Sequence, residues 1–140
     1  MGVQFFFADK NIALTDRTAL KLFIKNIFKK EKRSFESLSY VFCSDEYLLA
    51  INQQYLQHDY YTDIITFDLS EPNAALQGDI YISIDRVRDN AKQLDISIKN
   101  ELHRVIFHGV LHLCGYKDKT PKDEKAMRSM EEKYLKLYFK

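Results

Sequence analysis

Long apolar runs are missing from this chain. No stretch reaches the roughly 18 to 20 consecutive apolar residues that a membrane-crossing helix needs, so no membrane association is expected. The apolar opening at residues 3–7 is too short for a secretion signal and has no basic leader, and Phe6 stands where a myristoylation signal wants Ser or Thr. The expected location is therefore the cytoplasm. Cysteine is scarce: Cys43 and Cys114 are too few for a disulfide framework, and in a reducing compartment both are expected to be free and to pack as small apolar side chains. With two prolines and four glycines there is no linker, no low-complexity tract and no internal repeat, which leaves a single domain spanning residues 1–140. Charge of one sign is lacking as well. Lys plus Arg number 21 against 20 Asp plus Glu, a net +1 that gives no bulk signal for a nucleic-acid partner.

What is present is a hydrophobic fraction of 46%, ample for a core at this length. The positive charge is also unevenly placed. Between Asp16 and Arg33 seven basic residues face two acidic ones, and Arg17, Lys21, Lys25 and Lys29 recur every fourth position, which on a helix makes one stripe. Such a stripe is either a solvated face opposite Leu20, Phe23, Ile24 and Ile27 or a track for phosphates.

Periodicity divides the chain into alternating elements. Residues 3–8 read as a strand, and Thr15 is placed to cap a helix running to about residue 32. The alternating SLSYVFCS segment reads as a second strand, after which Ser44 caps a helix through about residue 55. Two further strands put Ile65, Phe67 and Leu69 on one face and Ile80, Ile82 and Ile84 on one face. Helical patterns follow from about residue 86 to 94, from Ser97 to about residue 114, and from about Pro121 onward. The order βαβαββααα predicts an α+β fold, a mixed sheet of about four strands covered by helices.

The stretch HGVLHLCGYKD, residues 108–118, holds two of the four histidines, two of the four glycines and a closing aspartate. His108 and His112, four apart within the helical pattern of Leu102, Val105, Ile106 and Leu113, project from nearly the same side of one helix and can grip one ion. Gly115 is placed to end that helix in a left-handed cap and return the chain, which makes Asp118 the natural third ligand. Two nitrogens and one oxygen suit a divalent metal, zinc foremost, with an open position for chemistry. Cys114 lies about 200° around the helix from His112, and His103, five before His108, is also off the ligand face and is expected to be partly exposed or hydrogen-bonded. The skeleton is shared with the metzincin proteases, whose general base follows the first histidine. Gly109 occupies that place and cannot move a proton, so a peptidase is disfavoured, and the small residue is expected to leave room for a large substrate.

The same stretch resembles the signature of the YbeY family of metal-dependent endoribonucleases that mature ribosomal RNA. INQQYLQHDYYTDIITF is similar to a second family segment, matching at Asn52, Tyr55, Asp59, Thr62, Asp63 and Phe67; GDIYIS resembles a family strand, and MRSME the Met-x-x-x-Glu pair of its last helix. The likeness is collinear from about residue 44 onward. It implies a single-strand-preferring endoribonuclease acting on ribosomal RNA precursors with the small ribosomal subunit, and a role in ribosome quality control. Two positions depart from the pattern: Asp118 stands where the family usually has a third histidine, and Leu56 where it has an arginine. Arg104, one turn before His108, and His58 are the candidates to supply the missing catalytic cation toward phosphate. Tyr60, Tyr61 and Tyr116 are candidates to stack on unpaired bases. The rival readings are a ribosome-associated RNA-binding module with a structural metal, a metalloprotease-like hydrolase, and a two-His-one-carboxylate iron site for oxygen chemistry. Oligomeric state has no sequence signal.

Overall fold

The computed structural model describes residues 2–140. Its elements run β1 (Gly2–Phe7), α1 (Arg17–Lys30), β2 (Phe35–Cys43), α2 (Asp45–Leu56), β3 (Ile64–Asp68), β4 (Leu76–Ser83), α3 (Ile84–Leu94), α4 (Ile98–Leu113) and α5 (Pro121–Tyr138). This is the predicted α+β order. The four strands form one mixed sheet in the order β1-β2-β4-β3, with β1, β2 and β4 parallel and β3 antiparallel to β4.

Each helix starts where a short polar side chain can satisfy a free backbone N–H. The Ser44, Ser83, Ser97 and Thr120 hydroxyl oxygens accept from the amides of Tyr47, Arg86, Asn100 and Asp123 at the starts of α2 to α5. Helix α1 is the exception. Thr15 does not cap it; Asp16 stands at the N-cap in a left-handed conformation, and no side chain takes the capping hydrogen bond. The helix is held by its apolar face, where Leu20, Ile24, Ile27 and Phe28 are buried. Two strand expectations also shift. Leu69 lies beyond β3 and is exposed, and Ile84 belongs to the first turn of α3, so the strand patterns are each one residue pair shorter than the alternation suggests.

Most of the core lies between one sheet face and the helices α1, α3, α4 and α5, where Tyr40, Phe42, Ile80 and Ile82 meet Ile24, Phe28, Ile106, Phe107 and Val110. A smaller cluster of Cys43, Leu48 and Ile65 sits beneath α2. Helix α4 is the central member: ten of its sixteen residues are buried. Gly109 explains how closely it approaches the sheet. A Cβ there would stand 2.8 Å from Ile80 Cδ1 and 3.0 Å from Ile64 Cδ1. The glycine therefore serves helix–sheet packing, and the expected room for substrate at this position is absent because the position faces β3 and β4. Among the described residues no helix is long and apolar enough to cross a membrane.

Candidate metal and RNA site

A cavity of about 460 Å³ opens between α4, the α2–β3 loop, β3 and the loop after α4. His108, His112 and Asp118 all line it, together with Leu56, His58, Tyr60 and Lys119. The two histidines come from the last two turns of α4, which the core holds rigidly. Asp118 arrives as expected: Gly115 takes φ +106° after the helix, the Tyr116 amide donates to the Leu111 carbonyl and the Gly115 amide to that of His112, closing the helix end and turning the chain back. The Tyr116 hydroxyl fixes the returning loop by donating to Glu31 at 2.9 Å.

His108 is oriented by a residue from another helix. Its Nδ1 lies 2.6 Å from Oε2 of Glu131, a buried carboxylate on α5. Burial works against ionisation of Glu131, but the His108 hydrogen bond and the Arg104 charge outweigh it and hold the carboxyl below its ordinary range. An ionised carboxylate only accepts, so Nδ1 carries a proton toward Glu131 and Nε2 is the ring nitrogen that faces Asp118 and the cavity. Nε2 stands 3.4 Å from Asp118 Oδ2. Burial lowers the pKa of His112 against the pull of Asp118, which favours its neutral, ligating form.

Among the described residues, as their side chains stand, no group of three His, Cys, Asp or Glu is placed to hold a metal ion. Asp118, with its side chain 46% exposed, is the open member of the set. Cys114 is half-buried among core residues, and burial pushes its thiol up to about 12, far from the thiolate form that binds metal. Cys43 is free and buried.

The two candidate cations fall in different places. Arg104 makes a two-pronged pair with the fully buried Glu101, at 2.8 and 2.7 Å, and reaches Glu131 at 3.1 Å and Asp63 at 3.8 Å. Its guanidinium is spent on three carboxylates and does not line the cavity. His58 does line it, stacked on the Tyr60 ring and 3.0 Å from the Tyr60 hydroxyl. Lys119, which the sequence does not single out, also lines the cavity and makes no ion pair among the described residues. Of the three tyrosines, Tyr60 borders the cavity, Tyr61 is exposed outside its lining, and Tyr116 is tied to Glu31. Asn52 shapes the wall opposite α4: its buried amide donates to the Tyr60 carbonyl, and its own carbonyl accepts from the His58 amide. His103 takes the hydrogen-bonded of its two expected states: it is only 2% exposed, with its Nδ1 against the Lys99 carbonyl.

A family model described as endoribonuclease YbeY matches residues 5–138 of the chain. The endoribonuclease YbeY of Cytophaga hutchinsonii is 53% identical over 135 residues, covering 96% of this chain and 94% of that protein. That of Porphyromonas gingivalis is 47% identical over 133 residues, covering 95% and 87%. Among solved structures, the solution structure of TM1509 from Thermotoga maritima superposes with a TM-score of 0.64 at 26% identity, over 98% of this chain and 89% of that one.

Proposed function

Because the chain belongs to the YbeY endoribonuclease family, we propose that it is a zinc-dependent endoribonuclease that prefers single-stranded RNA, and that it acts in ribosomal RNA maturation and quality control at the small ribosomal subunit. One observation supports the metal part of this reading: His108 Nε2 and a carboxylate oxygen of Asp118 face each other at 3.4 Å, with Glu131 behind the imidazole. Two ligands about 2.0 to 2.1 Å from a tetrahedrally placed zinc stand about 3.4 Å apart, and a ligating histidine commonly gives its other N–H to a carboxylate.

His108, His112 and Asp118 would hold the ion. Bound there, a divalent metal supplies Lewis acidity toward a phosphoryl oxygen and acidifies a water molecule. The remaining roles fall to side chains. Lys119 and His58 border the cavity and would meet the phosphate in place of the family arginine that Leu56 replaces. Tyr60 offers an exposed ring for an unstacked base. Arg104 acts one step back, holding Glu131 ionised so that Glu131 can fix the His108 ring. Gly109 offers no base for peptide hydrolysis and faces the sheet.

The test is cleavage of single-stranded ribosomal RNA fragments by zinc-loaded protein, beside His108→Ala and a casein digestion, with elemental analysis of protein purified without added metal. RNA cleavage that His108→Ala abolishes is expected. His112→Ala should lose the metal on dialysis against a mild chelator, Asp118→Ala should lose most of it, and Asp118→His should keep it. Caseinolysis without RNA cleavage would overturn the reading, and a folded, RNA-binding but inert zinc protein would favour the binding module.

A further inference from the structure

The basic stripe of α1 divides in the folded protein. Its first half leans on the edge strand: Arg17 lies over the Phe7 ring at 5.1 Å and donates to the Leu14 carbonyl, and Lys21 lies over the Phe5 ring at 5.7 Å. The second half opens into a separate groove of about 380 Å³ lined by Lys25, Lys29, Lys32, Arg33, Ser34 and Phe35, with no acidic residue in its wall. Lys25, Lys29 and Lys32 are exposed and make no ion pair among the described residues. Glu31, the acid embedded in this run, has its carboxylate occupied by the Tyr116 and Tyr134 hydroxyls.

We propose that this groove is a second RNA site, holding the phosphates of a single strand whose scissile segment lies in the cavity beside α4. The proposal rests on the nuclease reading above. One observation beyond the charge supports it. The groove is joined to the loop that carries the third proposed metal ligand. Arg33 donates to the carbonyl of Leu113, the last residue of α4, at 2.8 Å and pairs with Asp68 at the end of β3 at 3.1 Å, while its neighbour Glu31 anchors Tyr116, two residues before Asp118. Lys32 has φ +60°. It stands just past α1, where the Arg33 amide donates to the Phe28 carbonyl and the Lys32 amide to that of Lys29, a helix ending that favours glycine. Lys32 thus adds one more charge to the groove wall at a left-handed position of the kind that Gln57 and Asp95 hold at the ends of α2 and α3. Partner chemistry follows from the lining. Protein-binding patches are anchored by apolar and aromatic residues, whereas three lysines that make no ion pair among the described residues, set beside Arg33, suit a linear polyanion.

The experiment compares wild type with Lys25→Gln/Lys29→Gln, with Lys32→Gly, and with Lys122→Gln/Lys125→Gln on α5 as a control of equal charge change. On a single-stranded ribosomal RNA fragment of about 30 nucleotides, the groove double variant should raise KM about tenfold with kcat unchanged, and its plot of log affinity against log salt should flatten by about 1.4, two phosphate contacts at about 0.7 each. On an oligomer of about six nucleotides, too short to reach both sites, it should match wild type. Lys32→Gly should weaken long-RNA binding while melting no lower than wild type, which separates a use of the charge from a structural role. Unchanged KM and salt slope in the groove double variant, with a wild type that cleaves RNA, would overturn the groove and leave the nuclease standing, as would an equal loss in the α5 control. Loss of polyglutamate binding with RNA binding intact would reassign the groove to acidic protein. A wild type that neither binds nor cleaves RNA would overturn both readings.

Discussion

At the scale of single residues, the site is organised by what stands behind each proposed ligand. Glu131 both fixes the His108 ring and shares Arg104 with Glu101. Glu131→Gln keeps the shape but removes the charge that makes Nδ1 the protonated nitrogen. Metal affinity should fall about 10- to 100-fold, read by competition with a chromophoric chelator, and an unchanged affinity would remove Glu131 from the site. Leu56 lines the cavity mouth and is 39% exposed, so Leu56→Arg has solvent into which its longer side chain can extend. One added charge-assisted phosphate contact is worth about 1.5 to 3 kcal/mol, and RNA cleavage should accelerate by about one to two powers of ten. Arg104→Ala would strand the buried Glu101 and Glu131 without a counter-charge. It should cost about 3 kcal/mol in urea unfolding, in contrast to a phosphate-binding residue, whose loss would spare stability. Residue-scale legibility follows sequence distance. His108, His112 and Asp118 are readable because one helical turn and one glycine cap relate them, whereas Glu131 and Lys119 are placed by the packing of α5 and by a loop trajectory, neither of which has a period.

At the scale of elements, α4 links the core to the chemistry, and Gly109 sets the distance between them. Gly109→Ala would gain about 1 kcal/mol of helix propensity but overpack Ile80 and Ile64 by about 2, a net loss of about 1 kcal/mol in chemical denaturation. Because His108 and His112 flank the position, metal affinity should fall with it; a more stable variant with full metal content would show that the helix can back away freely. Element identities were readable because apolar periods of two and of 3.6 residues do not overlap in this chain, and because Ser44, Ser97 and Pro121 mark starts. The errors lie where packing overrides local chemistry. Asp16 adopts a left-handed conformation to bring α1 onto the sheet, bypassing the better capping hydroxyl of Thr15, and the inward face of Gly109 could not be told from a face toward substrate without knowing where the sheet lies.

For the molecule as a whole, part of the acid sensitivity should trace to a residue outside the site, alongside the buried His112. His103 is buried with Nδ1 on the Lys99 carbonyl, and Nε2 has no hydrogen-bond partner among the described residues, so burial pushes its pKa below the usual 6.5. The unfolded chain therefore binds the proton more readily than the folded one. The stabilisation from His103 is complete above pH 6.5 and is lost as pH falls through that value. The melting temperature should decline from pH 8 to pH 5, and His103→Phe, which keeps the stack against Tyr138 and Phe139, should flatten the decline. An identical slope in the variant would place the sensitivity elsewhere. The mixed sheet was legible as a class but its order was not, since the insertion of β4 between β2 and β3 is a choice among pairings that alternation alone leaves equivalent. The unequal anchoring of the proposed ligands sets how freely each can be exchanged. Two are locked into the most buried helix, while Asp118 sits half-exposed beyond a glycine whose surroundings are open. Exchanges at such a loop position rarely disturb folding by more than about 0.5 kcal/mol. An exchange of Asp118 for histidine would therefore change the donor atom at the proposed metal site without requiring any compensating change in the scaffold.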